Sequence, residues 1–264
     1  MRKCLKFILK RIKMDSKEPI CYKKNYIKEV LGRIDFATPL TEFEKALPAD
    51  FLKIIKNEFP ISENTQGTIQ NIHIDKGIVK DNLERYTEWT FHGKDRQKSI
   101  KVSSKYIVVS LKKYYNYEDF LKDIINPVNS LMKDLGNISI IRTGIRFVNI
   151  FDDLIKSYDD LQKYFNNFAV ETFKNIYQPD ACSRNILISE FLVQDIKLRV
   201  QSGIYNSNYP APISNKEYLI DIDAYYDFPH VISDFKEYFD KLHNQIQSIF
   251  EHSISNELRS KLNE

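Results

Sequence analysis

ISIIRTGIRFVNIF, residues 138–151, reads as a strand in which Ile141, Ile145, Phe147 and Phe151 share one face. Arg142 and Arg146 point from the other face. Working outward, the chain shows the same order of elements on both sides of this stretch. Upstream, Tyr26 to about Phe36 is a predicted strand with Val30, Ile34 and Phe36 on one face. A helix is expected from Thr41 to Glu58, with Thr41 and Glu44 as a capping box and Phe43, Leu47, Phe51, Ile54 and Ile55 as its apolar stripe. Strands follow near 67–78, 86–93, 98–104 and 106–113, with HGKD and SSK as hairpin turns. A long helix spans Tyr117 to Leu135, carrying Pro127 inside it and stopping at Gly136.

Downstream, a helical pattern covers about Tyr158 to Ile176, and strands follow near 184–193, 195–204 and 217–226. A last long helix runs from about Val231 to Phe250 with Phe235, Tyr238, Leu242, Ile249 and Phe250 as its stripe, and a short helix closes the chain. VVSLKKYYNYEDFLKDI (108–124) matches LIDIDAYYDFPHVISDF (219–235), and GRIDF (32–36) matches IRFVN (145–149) with Arg33 against Arg146. This points to a duplication. The expected organisation is a basic N-terminal arm (1–25), a first α+β half (26–137) and a second (138–264). Each half has the order β-α-β(3–4)-α, with curved antiparallel sheets packed on long helices. By analogy of element order this is a TATA-binding-protein-like or helix-grip-like pseudo-repeat, which assigns no function.

Composition removes several activities. The 264 residues hold seven glycines, the closest pair eight positions apart, so neither G-x-G-x-x-G nor G-x-x-x-x-G-K-[ST] can be written. A phosphate loop needs closely spaced glycines to turn backbone N–H groups onto the anion. G-x-S-x-G is absent too. Cys4, Cys21 and Cys182 match no metal knuckle and read as reduced thiols of a cytoplasmic protein. The five histidines form no H-E-x-x-H or H-x-H pair and read as surface or core-edge residues. No metal or cofactor is implied, and no catalytic residue is assigned.

Charge is uneven. Residues 1–28 carry ten Lys/Arg against two Asp/Glu, leaving 29 against 34 in the rest of a chain whose formal net charge is +3. The basic character sits in the arm, which weakens an argument from charge to nucleic acid. MRKCLKFILKRIKM (1–14) is too interrupted by Lys and Arg for a signal peptide and reads as an untethered arm. No apolar run reaches the roughly 18–20 residues of a membrane span, so no integral membrane association is expected.

The candidate site residues lie mainly on the outer sheet face. Arg33, Arg142, Arg146, Lys197 and Arg199, with Lys101 and Lys112, face Glu29, Asp35, Glu217, Asp221 and Asp223; Asn149 completes the binding set. Asp221 and Asp223, two apart on a strand, point the same way, as do Lys197 and Arg199 on the neighbouring strand. Cross-strand ion pairs account for these four. Seven bases among five acids make a mixed surface, poorly suited to neutralising phosphates. Pro179-Asp180 followed by Asp195-Ile196-Lys197 spells a metal-dependent nuclease pattern on paper. A hairpin turn at Gln194 would set Asp195 roughly 30 Å from Asp180, too far for one metal.

NYIKEVLGRIDF, TEWTF, RTGIRFVNIF and DFKEYFDKLHNQIQSIFEHSI together resemble a sporadically distributed family of uncharacterised bacterial proteins. Its motifs are E-V-x-x-x-I-R-F, W-x-F, R-x-G-[IL]-R-[FY]-[IV]-N and a helix with F-x-x-[LI]-H. The match covers about 18–260, with Arg142, Gly144, Ile145, Arg146, Phe147, Val148 and Asn149 as the central motif. The resemblance implies a cytoplasmic bacterial protein of mobile distribution, of the kind that serves in phage defence or toxin neutralisation, and supplies no activity. The expected function is a non-enzymatic protein-interaction module, accessory or antitoxin-like, whose partner is another protein. The alternatives are nucleic-acid binding through the outer face and arm, and the nuclease.

Overall fold

The computed structural model describes residues 20–75, 78–166, 170, 178 and 181–264, with side chains for all of these except 64, 68–75, 78–85 and 158. The strands are β1 (Ile27–Phe36), β2 (Ile61–Asp75), β3 (Ile78–His92), β4 (Lys98–Ser103), β5 (Tyr106–Leu111), β6 (Ser139–Phe151), β7 (Asn185–Val193), β8 (Ile196–Ile204), β9 (Tyr218–Tyr226) and β10 (His230–Val231). All join one antiparallel sheet in the order β2-β3-β4-β5-β1-β6-β9-β8-β7, with β10 paired to β6. The strands before and after residue 138 therefore share one sheet, joined where β1 meets β6.

The described helices are α1 (Ala49–Glu58), α2 (Tyr117–Leu135), α3 (Tyr158–Tyr164), α4 (Phe235–Ser253) and α5 (Asn256–Leu262). They cover one face, and the core lies between. Alternation makes this arrangement: Val30, Ile34 and Phe36 of β1 and Ile145, Phe147 and Phe151 of β6 are buried on the helix-covered face. Gly32 sits where both long helices cross β1. A Cβ there would lie 2.3 Å from Ile124 Cδ1 and 2.9 Å from Phe120 Cζ, both on α2, and 3.2 Å from Phe239 on α4, so glycine permits the close approach.

Five expectations are corrected. Thr41–Glu58 is not one helix: a 3-10 turn at Thr41–Glu44 ends before Pro48, and α1 starts at Ala49. The capping box does not form, because the Glu44 carboxylate instead accepts from Thr87 N and the Ser104 hydroxyl. Ile141 is exposed and Ile140 buried, because the β1–β6 register shifts between Asp35 and Phe36. Around α4 the buried stripe is Phe235, Phe239, Leu242, His243 and Ile246, while Tyr238, Ile249 and Phe250 lie at its half-buried flanks. Finally, Tyr225-Tyr226 end β9, whereas Tyr114-Tyr115 follow β5 after Leu111, so the matched pairs occupy different structural positions.

β7 and β8 form the expected hairpin. Its two turn residues, Gln194 and Asp195, have φ of 48° and 68°. Two successive left-handed residues are the geometry of a type I′ turn, which favours Asn and Gly. Asp195→Gly should therefore raise stability, by up to about 1 kcal/mol in a urea titration. An unchanged or lower midpoint would place the strain elsewhere.

Candidate functional site

The outer sheet face carries seven of the eight expected site residues, and they lie in ion pairs and ring contacts. Asp221 of β9 lies opposite Val148 of β6 and Gln201 of β8. It is 3 % exposed. Arg146 clasps it with two hydrogen bonds, Nε to Oδ1 at 2.8 Å and a terminal nitrogen to Oδ2 at 2.6 Å, and Gln201 Nε2 donates at 3.0 Å. Asp223 is 3.8 Å from Arg142, whose guanidinium stacks on the Tyr225 ring at 4.0 Å while its Nε, buried, has no partner. Burial raises the Asp223 carboxyl above the ordinary aspartate range, and Arg142 and Arg146 oppose that rise.

The expected partners are thus exchanged. The carboxylates of β9 take arginines from β6, while Lys197 and Arg199 of β8 turn outward, Lys197 to Asp227 and Arg199 to within 3.9 Å of Glu190. Planar guanidinium forks match a carboxylate with two bonds, which a lysine cannot do. On the first half, Arg33 pairs with Asp35 and lies over Tyr106, Lys101 pairs with Glu88, and Arg96 with Glu63. A face whose cations are matched this way has little positive charge left for phosphates.

Only the second part of the nuclease pattern falls among the described residues. Pro179 and Asp180 lie outside the described residues; Asp195 occupies the hairpin turn and Lys197 is paired to Asp227. No cluster of metal-ligating side chains occurs among the described residues. No helix among them is long and apolar enough to cross a membrane. Cys21 and Cys182 are free.

β7 at one end of the sheet presents a different surface. Among the described side chains eight large hydrophobics are exposed, and four of them, Ile188, Phe191, Leu192 and Val193, lie on this strand. Leu192 is 70 % exposed. β7 pairs only with β8 among the described strands, and the backbone N–H and C=O groups of its other edge pair with no described strand. The sequence signal was available: ILISEFLV carries one acid, no base and no proline.

Asn149, the eighth expected residue, is on the opposite face. It shares the parity of Phe147 and Phe151, is 4 % exposed, and donates from Nδ2 to the Ile220 carbonyl at 3.1 Å. There it lines a cavity of about 400 Å³ between the sheet and helices α2 and α4, which opens beside residues 20–27. Tyr114, Phe147 and His243 also line it. His243 stacks on Tyr117 with ring centres 3.9 Å apart. Burial pushes its imidazole down to about 4, against the pull of Asp240 and Glu118, so it is neutral at pH 7. Compared with known family models and with curated proteins, the sequence matches none.

Proposed function

We propose that this protein is a non-enzymatic interaction module that docks an extended segment of a partner protein on the free edge of β7. The observation that carries the reading is the apolar edge itself. Edge strands are normally blunted by lysine, proline or a covering element, because their open backbone pairs with other chains. β7 combines that open backbone with Ile188 and Leu192 on one face and Phe191 and Val193 on the other. Such an edge fits β-strand addition, in which main-chain bonds give affinity and alternate apolar side chains give specificity. A second copy fits less well. Self-pairing about Glu190 sets two carboxylates opposite one another, and self-pairing about Ser189 sets Glu190 against Ile188. The partner therefore supplies an extended apolar strand with a basic residue facing Glu190.

The same reading treats the two halves as a duplicated TATA-binding-protein-like or helix-grip-like unit. What supports it is the strand order, in which each half places its first strand at the centre and its last strand beside it. The resemblance of the strand motifs to a mobile bacterial family is the ground for an accessory or antitoxin-like role in the cytoplasm.

The test is a tagged pull-down from the native host with the wild type and with Ile188→Lys/Leu192→Lys. Both side chains are exposed, so the variant should unfold within about 0.5 kcal/mol of the wild type. One stoichiometric protein should co-purify with the wild type and be lost from the variant. Retention by the variant, or recovery only of nucleic acid that leaves with salt, would overturn the reading.

A further inference from the structure

We propose that the cavity between the sheet and helices α2 and α4 is a binding site for a small, uncharged nitrogen heterocycle with a hydrogen-bond donor and acceptor on its rim. This is independent of the β7 edge and uses other residues. At about 400 Å³ the cavity falls in the range of small-molecule pockets, roughly 300–1,000 Å³. Its walls are Phe147, Ile222, Ile246 and Phe250, with the stacked Tyr117–His243 pair.

Three polar side chains enter this apolar space with hydrogen-bonding capacity left over. His243 is 8 % exposed, and neither ring nitrogen bonds to any described residue. Asn149 spends Nδ2 on Ile220, and its Oδ1 takes no bond from a described residue. The Tyr114 hydroxyl bonds to no described residue either, its ring set edge-on against Phe147 at 5.3 Å. Among the described side chains only the Arg142 Nε is both sealed and unpartnered, so these atoms open into the cavity, where a ligand edge can meet them. A neutral imidazole offers one donor and one acceptor, the amide oxygen an acceptor, and the phenol either.

Charge and shape narrow the class. The acids near the cavity are Asp240, which accepts from the Tyr117 hydroxyl at 2.9 Å, Glu251, held by Tyr22 and Arg259, and the exposed Glu118. Among the described residues no cation stands inside to receive an anion; Lys24 at the mouth is paired with Asp153. An alkyl chain would leave all three polar groups unmatched. A flat neutral heterocycle stacks on the aromatic wall and meets them with its rim.

Calorimetric titration of the full chain at pH 7.5 tests this, with adenine, uracil and benzimidazole as heterocycles, toluene as a bare ring and decanoate as an acyl chain. At least one heterocycle should bind, while toluene and decanoate bind at least tenfold more weakly. His243→Phe keeps the ring stack and removes both nitrogens, and Tyr114→Phe removes only the hydroxyl. His243→Phe should weaken the heterocycle at least tenfold, and Tyr114→Phe several-fold; the second still reads the site should the first fail to fold. Ile188→Lys/Leu192→Lys should bind as the wild type does. Absence of any heterocycle binding, equal binding of toluene or decanoate, or heterocycle affinity unchanged in both ring variants would each overturn the proposal.

Discussion

Arg146→Met should lower the unfolding free energy by about 2–3 kcal/mol at pH 7, measured by urea denaturation. The reason is what the substitution leaves behind. Asp221 is almost wholly buried, and Arg146 supplies two of the three hydrogen bonds to its carboxylate. Without the arginine, Gln201 alone serves a carboxylate that water cannot reach freely. Asp223, two residues along, adds like charge, opposed by Arg142 at 3.8 Å and by Arg199 across the β8–β9 pair. Breaking a fully buried pair costs about 3–5 kcal/mol. The lower figure here reflects the 42 % exposure of the Arg146 side chain, which lets water screen the pair.

Two controls separate this from lost packing. In Arg146→Met/Asp221→Leu both charges are gone, and stability should return to within about 1 kcal/mol of the wild type. In the single variant, lowering the pH from 7 should recover part of the loss. Asp223, whose carboxyl burial already holds above the ordinary range, takes up a proton and relieves the repulsion. A single variant as stable as the wild type would mean that the outer-face pair contributes nothing. That would return Arg146 to the pool of cations available for a ligand.

The exchange of partners on this face shows where a sequence reading stops. Alternation places Arg142, Arg146, Asp221, Asp223, Lys197 and Arg199 on one surface, since parity along a strand needs no tertiary information. It does not say which neighbour a carboxylate chooses. Asp221 lies between β6 and β8, where Gln201 of β8 stands directly opposite it and Arg146 of β6 reaches it from a diagonal position, so the choice falls to register. Ile141 fails for another reason: one register shift between β1 and β6 moves a residue to the other face, and no local pattern announces it.

Asn149 and His243 are both legible in the sequence as polar residues at core positions. Asn149 stands at core parity between Phe147 and Phe151, so its own strand argues that it points inward. His243 follows Phe239 and Leu242 and precedes Ile246 at helical spacing, within the apolar stripe of α4. A polar residue at a core position is the informative exception. That the two converge on one cavity, 94 residues apart in sequence, is a product of α4 folding back over β6 and β9 and lies beyond any local pattern.

The buried imidazole sets the second large effect, an acid dependence of stability. In the unfolded chain His243 titrates near the ordinary value of 6.5; in the folded protein burial pushes it down to about 4. The unfolded state therefore binds a proton between these values and the folded state does not. Stability is greatest above pH 6.5, falls as the pH drops through the window, and loses nothing further from this group below about 4. The loss attributable to His243 should reach about 3 kcal/mol at pH 4. The charged and titratable groups around the ring are Tyr117 of α2, with Glu118 beside it, and Asp240 of α4. Both acids favour the imidazolium, so burial prevails over them. Other carboxylates titrate in the lower part of the window, so the readout is the difference between wild type and His243→Phe, in urea titrations at pH 7.5, 6, 5 and 4. The variant keeps a ring against Tyr117 and should follow a shallower curve, the two diverging from pH 6.5 downward. Parallel curves would mean that the imidazole is protonated inside the folded protein as readily as outside it. The cavity would then hold a cation at mildly acid pH and favour an anion over a neutral ring.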